Sequence, residues 1–181
     1  MRIQNLGDSV RLRRNEKYKE LEELAKELEA FRASSKKVVH CHGVFDLLHV
    51  GHIRHLKEAK ELGDILIVTV TPDRYVNKGP HRPAFTEDLR AEAVASLDCV
   101  DYVAINQWPT AVDTIRLLKP DFYVKGPDYQ DSEKDHTGGI NLEEEAVNSV
   151  GGKLIITEDI TFSSSNLINR YTPVFSKEVK D

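Results

Sequence analysis

"HCHGVFDLLHVGH", residues 40–52, sets four histidines, two glycines and one aspartate between two segments of opposite character. Upstream, "KVVHCH" (37–42) is a short β-rich run. Downstream, "VGHIRHLKEAKELG" (50–63) has helical apolar spacing and ends in Gly63, read here as a cap. The stretch is therefore a strand end, a turn and a helix start. Three readings of its histidines compete: a metal site, a phosphate site, or ordinary core and surface residues. His40 and His42 alternate on the strand and share a face, a spacing that zinc ligands use. The remaining histidines are His55, one turn past His52, and the distant His81 and His136. The phosphate reading uses more of the residues. Gly43 lets backbone N–H groups approach an anion. The helix start brings free N–H groups and the positive end of its dipole. His49 and His52, three apart, share a helix face, and Gly51 between them has no side chain to obstruct a phosphate.

The same alternation continues. "DILIVTVT" (64–71) is a nearly continuous apolar strand, of the kind buried on both faces of a parallel sheet. "TEDLRAEAVASL" (86–97) is a helix with Thr86 as N-cap, and "DYVAIN" (101–106) is a strand. "TAVDTIRLLK" is a helix stopped before Pro120, and "DFYVKG" (121–126) a strand. "NLEEEAVNSVGG" is a helix, "KLIITE" a strand, and "SSSNLINRY" a short last helix. Strand and helix alternate five times, which predicts an α/β fold with a doubly wound parallel sheet, Rossmann-like in its right-handed crossovers. Ligands of such sheets bind beyond the strand carboxyl ends where the strand order switches, and the first strand ends at the histidine stretch. Ahead of this unit, residues 15–32 read as one amphipathic helix with Tyr18, Leu21, Leu24, Ala25, Leu28 and Phe31 on one stripe. That stripe is either packed on the domain or a dimer contact. The expected organisation is an N-terminal helical extension (1–36), one α/β domain (37–172) and a tail (173–181).

The 181 residues carry a formal charge of −5, which argues against a generic nucleic-acid binder but leaves room for a local basic pocket. No apolar run reaches the roughly 20 residues that span a bilayer, and the first residues lack the apolar core of a signal peptide. Two cysteines, Cys41 and Cys99, are too few for a disulfide framework, so a reduced cytoplasm is expected.

"GVFDLLHVGH" (43–52) resembles the signature of the HxGH nucleotidyltransferases, whose fold is related to class I aminoacyl-tRNA synthetases. The nearest likeness is to the adenylyltransferase half of bifunctional heptose-phosphate enzymes, with glycerol-3-phosphate cytidylyltransferases as a looser one. "ELGDILIVTV", "NKGPHRP", "LRAEAVASLDCVDYV", "LKPDFYVKGPDY" and "TFSSSNLI" extend the likeness over residues 36–172. The resemblance implies His49, His52 and Lys78 as catalytic residues. It implies Gly43, Val44, Phe45, Gly51 and Arg90 around the nucleotide, with Lys125, Gly126 and Asp128 near its base and ribose. Ser163, Ser164 and Ser165, where the family has a Ser-Thr-Thr run, would meet the triphosphate at a helix start. Asp46, Arg82 and His42 are assigned to the substrate. Asp46 has an alternative as a turn residue capping the next helix, and His40 and His42 as packed strand residues. "TEDITF" (157–162) lacks the arginine of the glycerol-phosphate branch and so favours the heptose-phosphate-like one.

The implied activity is transfer of a nucleoside monophosphate from an NTP to a phosphorylated sugar or polyol, with Mg²⁺ on the triphosphate and pyrophosphate as by-product. The implied partners are a second copy in a homodimer and a fused or coupled sugar kinase, with no nucleic acid and no membrane. The alternatives are a cytidylyltransferase for glycerol 3-phosphate or another small phosphate or phosphonate, and a nucleotide-binding regulator without catalysis.

Overall fold

The computed structural model describes residues 16–79, 82–127 and 139–158. Asp128 and Ser163–Ser165, expected at the nucleotide, lie outside them. Five parallel strands form one sheet in the order β3-β2-β1-β4-β5. They are β1 (Val38–Gly43), β2 (Ile65–Val70), β3 (Tyr102–Ile105), β4 (Phe122–Lys125) and β5 (Lys153–Ile156). The helices are α1 (Leu21–Ala33), α2 (Val50–Lys60), α3 (Glu87–Ala95), α4 (Val112–Leu118) and α5 (Gly139–Ser149). The strand order switches between β1 and β4, which puts the end of "HCHG" at the crevice where the doubly wound pattern places a ligand.

Side-chain alternation sorts the helices onto two faces. Val39 and Cys41 of β1, Leu66, Val68 and Val70 of β2 and Val124 of β4 pack with Leu56 and Ala59 of α2 and Ala91, Val94 and Ala95 of α3. Val38, Ile65, Ile67 and Ala104 point the other way, onto Leu21, Leu24 and Leu28 of α1 and Leu118 of α4. Ala111, Ile115 and Tyr123 complete that face with Ala146 and Val147 of α5. Every residue of β2 is buried, as its unbroken apolar run requires.

Three expectations change. The first helix begins at Leu21, not at residue 15, because Tyr18 makes a parallel bridge to Val103 that extends the chain beside β3. Its leucine stripe is buried within the same chain, so that face is not free as a dimer contact. Gly63 is not the cap of α2, which ends at Lys60. A Cβ on Gly63 would sit 2.8 Å from a Val39 methyl and 2.9 Å from the Lys37 carbonyl, so close approach of the backbone selects glycine there. Thr86 does precede α3, but its side chain makes no capping hydrogen bond.

Leu24→Ala should lower the unfolding free energy by about 2–5 kcal/mol in urea titration, while Lys26→Ala on the exposed side of α1 should stay within about 0.5 kcal/mol. A second expectation concerns acid. His40 is fully buried, and burial followed by the Lys125 charge pushes its pKa down to about 3. The unfolded chain binds the proton near pH 6.5 and the folded chain does not, so stability falls as pH drops below 6.5. The loss from this residue should approach about 1.4 kcal/mol per pH unit between pH 6 and 4, and His40→Leu should flatten that slope in melts across this range.

Candidate active site

The loop between β1 and α2 is built around two short backbone events. Phe45 takes a positive φ of 49° and folds its ring back over Gly43. A Cβ on Gly43 would lie 3.1 Å from that ring, so the packing of Phe45 favours glycine here. The chain then reaches His49, the N-cap of α2, whose Nδ1 accepts the Gly51 N–H at 3.2 Å. The helix start is thus capped by an imidazole, and Asp46 has no part in it, which removes the reading of Asp46 as the cap. Because Nδ1 accepts, the His49 proton resides on Nε2. That Nε2 is buried and has no hydrogen-bond partner among the described residues.

His52, one turn on, stacks on His49 with ring centroids 3.8 Å apart and planes at 23°. The edge of Phe45 meets the His52 ring at 5.2 Å. The Nδ1 of His52 is likewise buried without a partner among the described residues. Burial and then the neighbouring imidazoles and Lys78 hold the His52 pKa down to about 3, and burial and then Lys78 lower that of His49. The pair is neutral at pH 7. It presents unpaired ring nitrogens rather than positive charge, and the charge beside it comes from Lys78 in the exposed loop after β2.

Asp46 is the anchor of the opposite wall. Its carboxylate is buried, forms a short ion pair with Arg82 Nε, and accepts the Ala84 N–H at 2.5 Å. Arg82 keeps its Nη2 buried without a partner among the described residues. Arg90 lies deeper, 1% exposed. Its guanidinium donates to the carbonyls of Val44, Thr71 (2.7 Å) and Phe85 (3.0 Å) and to Asp73 Oδ1 at 2.6 Å. It braces three loops from below, and these bonds occupy its nitrogens. Lys125 sits at the end of β4 on the other face of the sheet, paired with Glu143 of α5 at 2.8 Å, and both side chains are almost fully buried. A Cβ on Gly126 would touch nothing within 4 Å. His55 Nδ1 meets Thr157 Oγ1 at 3.0 Å, tying α2 to the chain after β5, and the His55 ring helps to lower the His52 pKa.

His49, His52, Gly43, Val44, Phe45, Gly51 and Lys78 therefore converge, with Asp46 and Arg82 beside them. Lys125 points to α5, and Arg90 acts from beneath. Thr69, Thr71, Glu143 and Thr157 were not singled out by sequence. The two threonines interrupt an otherwise apolar strand at its carboxyl end, and Glu143 stands on the buried side of α5 between Ile140 and Val147; both irregularities were readable. Among the described residues no group of three His, Cys, Asp or Glu side chains could hold a metal ion.

The family model described as cytidylyltransferase-like matches residues 40–170. The bifunctional protein HldE of Geobacter metallireducens is 39% identical over 168 residues, covering 90% of this chain and 32% of that protein. HldE of Helicobacter pylori is 43% identical over 128 residues, 70% of this chain and 28% of the relative. The chain thus spans about a third of the length of these relatives. A crystal structure of the lipopolysaccharide core biosynthesis protein from Thermoplasma volcanium matches with a TM-score of 0.57 at 29% identity, over 70% of this chain and 99% of that one. Pantoate-beta-alanine ligase from Francisella tularensis shares the fold at 20% identity with a TM-score of 0.52, over 79% of this chain and 70% of that one. With the histidine pair at the helix start, the switched parallel sheet and a family match over most of its length, the chain belongs to the cytidylyltransferase-like family and is a nucleotidyltransferase.

Proposed function

We propose that the chain transfers a nucleoside monophosphate from an NTP to a sugar phosphate of the heptose-1-phosphate kind, giving an NDP-sugar and pyrophosphate. The observation that carries this reading is the stacked His49–His52 pair at the start of α2, with two buried ring nitrogens unpartnered and Lys78 close by. An oxygen of the acceptor phosphate attacks the α-phosphorus, and the bond to pyrophosphate breaks. No protein nucleophile is needed. His49 Nε2–H is a neutral donor fixed in place, suited to oxygens whose charge grows in the transition state. Arg82 Nη2 and Lys78 supply positive charge to the leaving phosphates. Mg²⁺ enters as part of the NTP complex, held by phosphate and water. A fused or separate sugar kinase is the partner that the resemblance to bifunctional heptose-phosphate enzymes implies, and the relatives named above are called bifunctional. A homodimer in the cytoplasm is expected on the same likeness, and sedimentation equilibrium reads the dimer directly.

Cytidylyltransfer to glycerol 3-phosphate is the second reading, and the family model's description favours keeping it. Incubation of ATP or CTP with Mg²⁺ and a panel of sugar and polyol phosphates, reading pyrophosphate, separates the two. Tight nucleotide binding with no turnover on any acceptor would instead indicate a regulator.

His52→Ala should lower kcat by about 10²- to 10³-fold, as for loss of one transition-state donor, with a smaller effect on KM. His49→Ala should behave alike and also weaken the start of α2, seen as a lower Tm, because it removes the cap. The double variant should lose less than the product of the two in kcat, since stacked rings act as a unit. Equal changes in KM with kcat intact would contradict the catalytic assignment.

A further inference from the structure

The buried contact between Asp46 and Arg82 uses less of the guanidinium than such pairs commonly do. The Asp46 side chain is wholly buried and that of Arg82 is 15% exposed. Arg82 Nε donates to Asp46 Oδ2, and Oδ1 of the same carboxylate accepts the Ala84 N–H at 2.5 Å. A carboxylate beside an arginine often takes two parallel N–H bonds, one on each oxygen. Here the second oxygen serves the backbone. Arg82 Nη2 stays buried with no partner among the described residues. A buried donor without an acceptor is costly, and in a folded chain it calls for an explanation.

The surroundings point to the kind of acceptor. Burial and then the Arg82 charge lower the Lys78 pKa, and the Asp46 charge raises it by less than Arg82 lowers it. The Lys78 charge in turn lowers the pKa of His49 and His52. Lys78 is thus within electrostatic reach of both Arg82 and the histidine pair. His49 Nε2 and His52 Nδ1 are buried without partners among the described residues as well. Two cations, one carboxylate and three unpartnered nitrogens make a neighbourhood suited to an anion with several oxygens.

Asp46 acts on this arrangement at two points. By holding Nε it fixes the plane of the guanidinium, and so the direction of Nη2. By holding the Ala84 N–H it fixes the backbone two residues further on. The same loop has a separate brace, because Arg90 donates to both Phe85 O and Val44 O. We propose that Asp46 is a positioning residue whose carboxylate, divided between Arg82 Nε and the Ala84 N–H, directs Arg82 Nη2 onto a phosphate oxygen in the pyrophosphate half of the bound NTP. The assignment to a nucleotide rests on the function proposed above.

Titration of the full chain with inorganic pyrophosphate and Mg²⁺ in a calorimeter tests this without turnover. Arg82→Ala should weaken binding by about 10-fold, the scale of one hydrogen bond to a charged group. Asp46→Asn keeps an acceptor for Ala84 and leaves the Arg90 brace intact, so it should fold. It also removes a negative charge near the anion, which by charge alone would tighten binding. As loss of a positioning residue it should instead weaken binding by about threefold or more; unchanged or tighter binding would overturn the proposal. In an Arg82→Ala background the same change should alter affinity by less than about twofold. An equal loss in both backgrounds would mean that Asp46 does not act through Arg82, and would overturn it. Arg82→Lys keeps the charge without the rigid fork, so it should bind within about threefold of Arg82→Ala, and native affinity there would count against the proposal. In turnover, Asp46→Asn should raise the NTP KM by the factor seen for pyrophosphate, with the acceptor KM within about twofold; a rise confined to the acceptor KM would reject it. If pyrophosphate binding follows this pattern but no acceptor is nucleotidylated, the function above fails and this proposal stands. If transfer proceeds and Arg82→Ala keeps the native NTP KM and pyrophosphate affinity, the function stands and this proposal fails.

Discussion

The hydrogen bond from the Gly51 N–H to His49 Nδ1 is the contact on which the site turns. One imidazole nitrogen ends the loop and starts the helix. The other is thereby protonated, and it is buried without a partner among the described residues. Capping, tautomer and donor direction are one event. Most helices spend serine, threonine or aspartate at this position. Here a residue able to act on phosphate takes the structural role, so local folding and orientation of the donor cannot be separated.

Around that contact, two buried ion pairs differ in purpose. Asp46 with Arg82 joins the β1 turn to the loop before α3 and leaves one guanidinium nitrogen open toward the site. Lys125 with Glu143 joins β4 to α5, and the pairing offsets the cost of burying either charge. The Lys125 charge still reaches across the strands, depressing His40, His42 and His55. The floor of the crevice is therefore populated by imidazoles kept neutral, with cations at its rim.

Much of this was readable in the sequence. The alternation of strand and helix patterns placed all five strands within a residue or two, because a parallel sheet needs apolar runs that little else explains. The histidine pair was readable because glycine, imidazole and helix start coincide in ten residues. The lesser partners were not. Arg90 looks like a surface arginine between acidic neighbours until the loops of Val44, Thr71 and Phe85 are folded over it. Asp46 was ambiguous because a turn aspartate caps helices so often; only the distant Arg82 and Ala84 decide its role. Tyr18 carries helical spacing, yet pairing with Val103, 85 positions away, outweighs it. In each case the deciding contact is long-range.

The burial of Leu21, Leu24 and Leu28 against Val38, Ile65, Ile67 and Ala104 bears on where this unit can be cut. By sequence, a boundary at residue 36 separates a helical leader from the nucleotide fold. In three dimensions that boundary runs through a core. Trimming to residue 37 would bare one side of β1 and β2 to water, and a truncated product would be prone to associate through the exposed strand faces. Chimeras and minimal versions of this unit should accordingly keep the chain from residue 16 onward, where Lys17 and Lys19 bond along β3.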